Sequence, residues 1–170
     1  VGYYIRVLSP SETPVPPAIL EKFLAADGRL AIISGDTDSA DWQQLTVSHA
    51  NGNEVCSVER FPVSTEIGRD EIDQFLEEVD DYEPKSGAVW LTSYFSSVKT
   101  VYIIQIFSGT YEEGGWDIVG SIKSALWNQG GGIIQADFEG FSNEDGYHIL
   151  WQFSDKVSGD WWMAVLDNGK

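Results

Sequence analysis

The nine residues 100–108, TVYIIQIFS, decide the fold. They are mostly β-branched and aromatic, and their apolar positions do not alternate with polar ones. A strand of this kind needs cover on both faces, so the reading places it in the middle of a sheet.

Downstream, GGWDIVGSIKSALWNQ (114–129) carries Ile118, Ile122, Ala125 and Leu126 at helical spacing, with Asp117 in the first turn and Gly130-Gly131-Gly132 as its stop. Upstream, GAVWLTSYFSSV (87–98) repeats that spacing with Leu91, Tyr94, Phe95 and Val98. Before it, GRDEIDQFLEEVDDYEP (68–84) sets Ile72, Phe75, Leu76 and Val79 on one stripe and leaves an acidic face of Asp70, Glu71, Asp73, Glu77, Glu78, Asp80 and Asp81. Acids near a helix C-terminus oppose its dipole, so solubility alone does not explain them.

At the start, YYIRVLS (3–9) reads as a strand, and Pro16-Pro17 opens a helix through AILEKFLAAD that Gly28 ends. RLAIISG (29–35) is a second strand, and WQQLTVSHANGNEVCSVERF (42–61) is a hairpin about Asn51-Gly52. Toward the end, residues 133–139 and 147–153 read as a hairpin with SNEDG (142–146) at its tip, followed by a strand DWWMAVLD (160–167).

Strand, helix, strand and hairpin therefore occur twice, at an offset of about one hundred residues. The expectation is one compact α+β domain over 1–170, with mixed or antiparallel sheet packed by about four helices. Its preferred form is a duplicated β-α-β-β-β unit, about 3–61 and 101–166, joined by helices near 69–82 and 87–98. The alternative is a single α+β sheet with no true repeat.

Sites are harder to read. On a strand 133–139, Asp137 and Glu139 share a face at about 7 Å, near the carboxylate spacing of an inverting glycosidase. Acids at i and i+2 recur in any acidic chain, and an ordinary hairpin explains the same residues. The glycine run 130–132 follows a helix and precedes a strand, the reverse of a phosphate loop. TYEEGG (110–115) does precede a helix, but its two glutamates would repel phosphate. Asp36, Asp38 and Asp41 lack the Gly and Glu of a calcium loop and read as a solvated turn. His49 and His148 have no metal-spaced partner, and Cys56 reads as a small buried hydrophobe. No metal and no cofactor is expected.

Ten basic against twenty-seven acidic residues give a formal charge of −17. Such a surface repels phosphate backbones and anionic lipid, so nucleic acid and membrane are not expected as partners, and a basic protein, including one whose cleft normally holds nucleic acid, is favoured. No apolar run reaches membrane-spanning length. The N-terminus shows no secretory signal, although a processed chain would look the same. One cysteine permits no internal disulfide, and the expected location is cytoplasmic. In size and charge the chain is similar to bacterial immunity proteins that neutralise a basic toxin, a likeness of bulk properties and not of residues.

The first functional reading is thus a non-enzymatic protein-binding protein, an immunity or inhibitor protein. Glu77, Glu78, Asp80 and Asp81 dock the basic partner, and Tyr82 or Trp162 anchors it. The second is a hydrolase using Asp137 and Glu139. The third is a homodimeric structural or regulatory protein joined through its aromatic surface, for which the seven Trp are the source.

Overall fold

A computed structural model describes residues 2–82, 85–142 and 148–150. Its strands are β1 (Tyr3–Ser9), β2 (Ala31–Gly35), β3 (Gln44–His49), β4 (Glu54–Pro62), β5 (Thr100–Ile106), β6 (Ile133–Ala136), β7 (Gly140–Ser142) and β8 (His148–Leu150). Its helices are α1 (Pro17–Ala26), α2 (Glu66–Glu78), α3 (Lys85–Phe95) and α4 (Gly115–Gly130). The strands form one sheet in the order β2-β3-β4-β5-β1-β6-β7-β8. Each neighbouring pair is antiparallel, so the class is α+β.

β5 lies between β1 and β4, with Tyr3 opposite Ile106 and Cys56 opposite the same residue on the other side. Its alternate side chains serve two cores. Tyr102, Ile104 and Ile106 pack with Leu20 and Leu24 of α1 and with Ile118, Ile122, Ala125 and Leu126 of α4. Val101 and Ile103 pack with Ile72 and Phe75 of α2 and with Leu91 and Phe95 of α3. Lack of alternation along 100–106 is thus the signature of a strand covered twice.

Chain direction explains which helices share a face. β1 and β2 run the same way, as do β5 and β6, because each pair is separated by an odd number of antiparallel neighbours. The crossover through α1 leaves an upward strand to one side, and that through α4 leaves a downward strand to the other. Crossovers of one hand then lay both helices on the same face, as the right-handed preference requires. The connection from β4 to β5 instead places α2 and α3 on the opposite face.

The element order of the first half recurs in the second, but the places in the sheet do not interchange. In the first half the last strand, β4, lies beside the central pair; in the second it is the first, β6.

Local chemistry sets the boundaries. Pro17 opens α1. Thr65 accepts from the Gly68 amide and starts α2 three residues before the expected point. After Glu78 the helix tightens to a single 3-10 turn, Val79–Asp81, where the acid run meets the negative end of the dipole. Gly52 sits at φ 93° in the β3–β4 turn. Gly132, at φ 114°, lies so close to β1 that a Cβ there would meet the Leu8 carbonyl oxygen at 2.0 Å.

The C-terminal hairpin is not the one expected, because β7 lies between β6 and β8 and the 133–139 and 147–153 segments do not pair directly among the described residues. β6 stops at Ala136, residues 137–139 form a turn, and Gly140 opens β7 opposite Ala136. Phe138 adopts φ 65°, in the left-handed region, which an extended strand cannot accommodate. DFEG is therefore a turn and not the end of a strand. The expected strand 160–167, with Trp161 and Trp162, lies outside the described residues.

Burial also fixes an alkaline limit. Cys56 is fully buried, and burial pushes its thiol up from 9.0 to about 12. Burial holds the Tyr94 phenol up to about 12 as well. The unfolded chain ionises these groups first, so their stabilisation is complete below pH 9 and is lost as pH rises through 12. The melting temperature should therefore fall across that range, and fall less in Cys56→Ala; equal falls in both proteins would contradict this assignment.

Candidate functional site

Functional side chains gather at one end of the sheet, where β1 begins, β5 ends and the 137–139 turn closes. The only charged side chain of β1, Arg6, points toward α2. Its Nε donates to Glu71 at 2.7 Å, and one terminal nitrogen donates to Gln135 at 2.7 Å and to Asp137 at 3.1 Å. The guanidinium carbon lies 5.5 Å from the ring centres of both Tyr4 and Phe75. Arg6, Glu71 and Asp137 keep only 15–23% of their side-chain surface in water. The network is an internal strut binding β1, β6, the turn and α2.

Asp137 also accepts from the Tyr4 amide at 3.0 Å. Glu139 accepts from the Tyr3 hydroxyl at 2.7 Å. Tyr3 and Tyr4 are consecutive residues of one strand and face opposite sides of the sheet. The turn through Phe138 hands Asp137 to the α2 side and Glu139 to the α4 side. The expected carboxylate pair does not share a face.

The acidic helix is exposed where the sequence places its charges. Glu77, Asp80 and Asp81 face solvent, as do Asp70 and Asp73. Among the described residues none of these five enters an ion pair. Glu78 is half-buried and occupied, accepting from Gln74 at 2.9 Å and from the Tyr82 hydroxyl at 3.2 Å.

Tyr82, expected to project as an anchor, is only 7% exposed and packs on Phe141 with ring centres 6.3 Å apart. Burial and the Glu78 carboxylate both hold its phenol well above the usual range. It closes its own core and does not reach outward. Trp162, the other expected anchor, lies outside the described residues.

Among the described residues the exposed aromatics are Phe138 in the turn, Tyr111 and Trp116. Tyr111 is 70% exposed and Trp116 46% exposed, on the short 3-10 turn Ser108–Tyr111 and the first turn of α4. That turn is pinned from below. The His49 Nε2–H donates to the Gly109 carbonyl at 2.7 Å, and the Thr110 hydroxyl donates to the Val55 carbonyl at 2.5 Å. His49 thus positions a loop. Glu112, Glu113 and Asp117 are neighbours of the two rings in sequence and face solvent; Glu112 accepts from the Asn53 side-chain amide at 2.6 Å, and Asp117 lies 3.6 Å from Arg29.

With Tyr3, Lys123 and Glu139, these rings line an open cleft of about 490 Å³ on the α4 side. A smaller hollow of about 250 Å³ opens on the α2 side, lined by Gln74, Glu78, Asp137 and Phe138. The 137–139 turn is the wall between them.

TYEEGGWD (110–117) was legible as a pre-helical loop unfit for phosphate, but its aromatics went unread. Arg6 was also missed. A lone arginine within an apolar central strand must find carboxylates, and that signal was present.

At about the other sites the structure is plain. Asp36 caps the Gln43 amide at 3.2 Å, and among the described residues no group of three His, Cys, Asp or Glu could hold a metal ion. No described helix is long and apolar enough to cross a membrane. Neither a protein-family model, nor a curated protein, nor a solved structure matches this chain.

Removing the Arg6 charge leaves two half-buried carboxylates facing one another. Arg6→Met should cost about 3 kcal/mol in urea unfolding. Glu71→Gln should cost less, because Asp137 still pairs with the guanidinium. Wild-type stability in Arg6→Met would contradict the strut.

Proposed function

We propose that this chain is a non-enzymatic acidic protein that binds a basic protein, in the manner of an immunity or inhibitor protein. The observation that carries the reading is the unpaired acidic run at the end of α2 and in the 3-10 turn that follows it, with Glu77, Asp80 and Asp81 exposed and free of ion pairs among the described residues. Carboxylates left unpaired in one short run concentrate negative potential. Such a field speeds encounter with a cationic surface and suppresses anionic partners.

Charge supplies rate and specificity more than affinity, so an aromatic anchor is required. Tyr111 and Trp116 take the role first assigned to Tyr82. They lie on the other face of the sheet, where Glu139 lines the same cleft. The partner on this reading spans the 137–139 turn and contacts both sides. A cytoplasmic location belongs to the same reading, where a reduced, buried Cys56 is at home.

The test is affinity capture from an extract of the producing cells. The wild-type protein should retain a basic protein at low salt and release it at high salt. The variant Glu77→Lys, Asp80→Lys, Asp81→Lys should retain much less, while the control Glu12→Lys, Glu21→Lys, Asp38→Lys, with the same net charge, should behave as wild type. Equal retention by both variants would overturn the assignment to this acidic run.

A further inference from the structure

Resting on the proposed function, we infer that the cleft on the α4 side is a cage for a single cationic side chain, an arginine on the surface of the basic partner. Trp116 stands edge-to-face to Tyr3, with ring centres 6.4 Å apart at 84°, and to Tyr111, at 5.8 Å and 87°. Trp116 is thus near-perpendicular to both tyrosines, and all three rings line the cleft as an aromatic corner. Aromatic faces carry the negative part of the ring quadrupole and attract cations.

Glu139 stands at the same corner. One of its carboxylate oxygens accepts from the Tyr3 hydroxyl, which orients the group. The other has no partner among the described residues. A guanidinium stacks flat on an aromatic face while its fork donates to a carboxylate, whereas an ammonium does only the second well. Arginine therefore fits both features. The exposure of two large aromatics at this one place is accounted for by the same occupant.

Among the described residues lining the cleft, Lys123 is the one cation. It has no hydrogen bond or ion pair among the described residues. It weakens the cage for any cation, and this gives the test a sign that a merely structural role would not produce.

The experiment is a nuclear magnetic resonance titration with N-acetyl-arginine methylamide, following the Trp116 indole N–H and the amides of 137–140. The neutral isostere N-acetyl-citrulline methylamide is the control. Saturable shifts are expected with arginine, and binding about tenfold weaker with citrulline. Trp116→Ala and Glu139→Gln should each weaken arginine binding, and Lys123→Ala should tighten it. Should Trp116→Ala lose a folded spectrum, the more exposed Tyr111→Ala replaces it.

Equal binding of arginine and citrulline, or unchanged arginine binding in the aromatic variant, overturns the cage. If a captured partner is lost by the acidic-run reversal but kept by Trp116→Ala, the cage and the Trp116 anchor fail, and binding of a basic protein through the acidic run stands. If arginine binds as expected but no basic protein is captured at low salt, the cage stands and the proposed function fails.

Discussion

Everything in this fold depends on covering β5 twice. A seven-residue strand with apolar side chains on both faces is stable only when helices close both sides and strands pair both edges. Pairing with β1 and β4 satisfies its backbone, and the two cores it divides are the two helical layers. α1 and α4 lie on one face because both crossovers have one hand. α2 and α3 fill the other because they are inserted between two strands that would otherwise form a simple hairpin.

That constraint also builds the surface proposed for binding. β1 lies against β5 and carries Tyr3, Tyr4 and Arg6 to the same end of the sheet at which β5 runs into the 3-10 turn and α4. β6 pairs with the other edge of β1 and brings its turn there as well. Phe138 in the left-handed region is what lets one short turn serve both faces. Asp137 completes the Arg6 strut on the α2 side, and Glu139 orients on Tyr3 at the cleft. The carboxylate of the internal ion network and the exposed carboxylate at the cleft stand two residues apart on one turn. The strut fixes the turn, and the turn divides the two hollows.

Much of this was legible in the sequence. The apolar run at 100–108, the helical stripes of Ile118, Ile122, Ala125 and Leu126 and of Leu91, Phe95 and Val98, and the Asn51-Gly52 turn all state local structure through periodicity. Their buried faces are those expected. The failures occur where tertiary contacts override local pattern. Residues 133–139 alternate like a strand, but Asp137 is drawn to Arg6, across 131 residues of sequence, and the strand ends at Ala136. Tyr82 follows an acid run and reads as exposed, yet it closes a core with Phe141 that no spacing predicts. Trp116 and Tyr111 lie on opposite sides of a glycine pair, and only the fold of that loop brings their rings together.

The central claim is that a basic partner seats on the acidic and aromatic end of the sheet, across the 137–139 turn. Amide hydrogen exchange of the protein with and without its captured partner tests this most directly, because it maps contact without altering any residue. The account predicts slowed exchange in 70–81, 108–117 and 137–140, with the β2–β3 edge unchanged. Protection confined to β2 and β3, with those three segments unaffected, would contradict it.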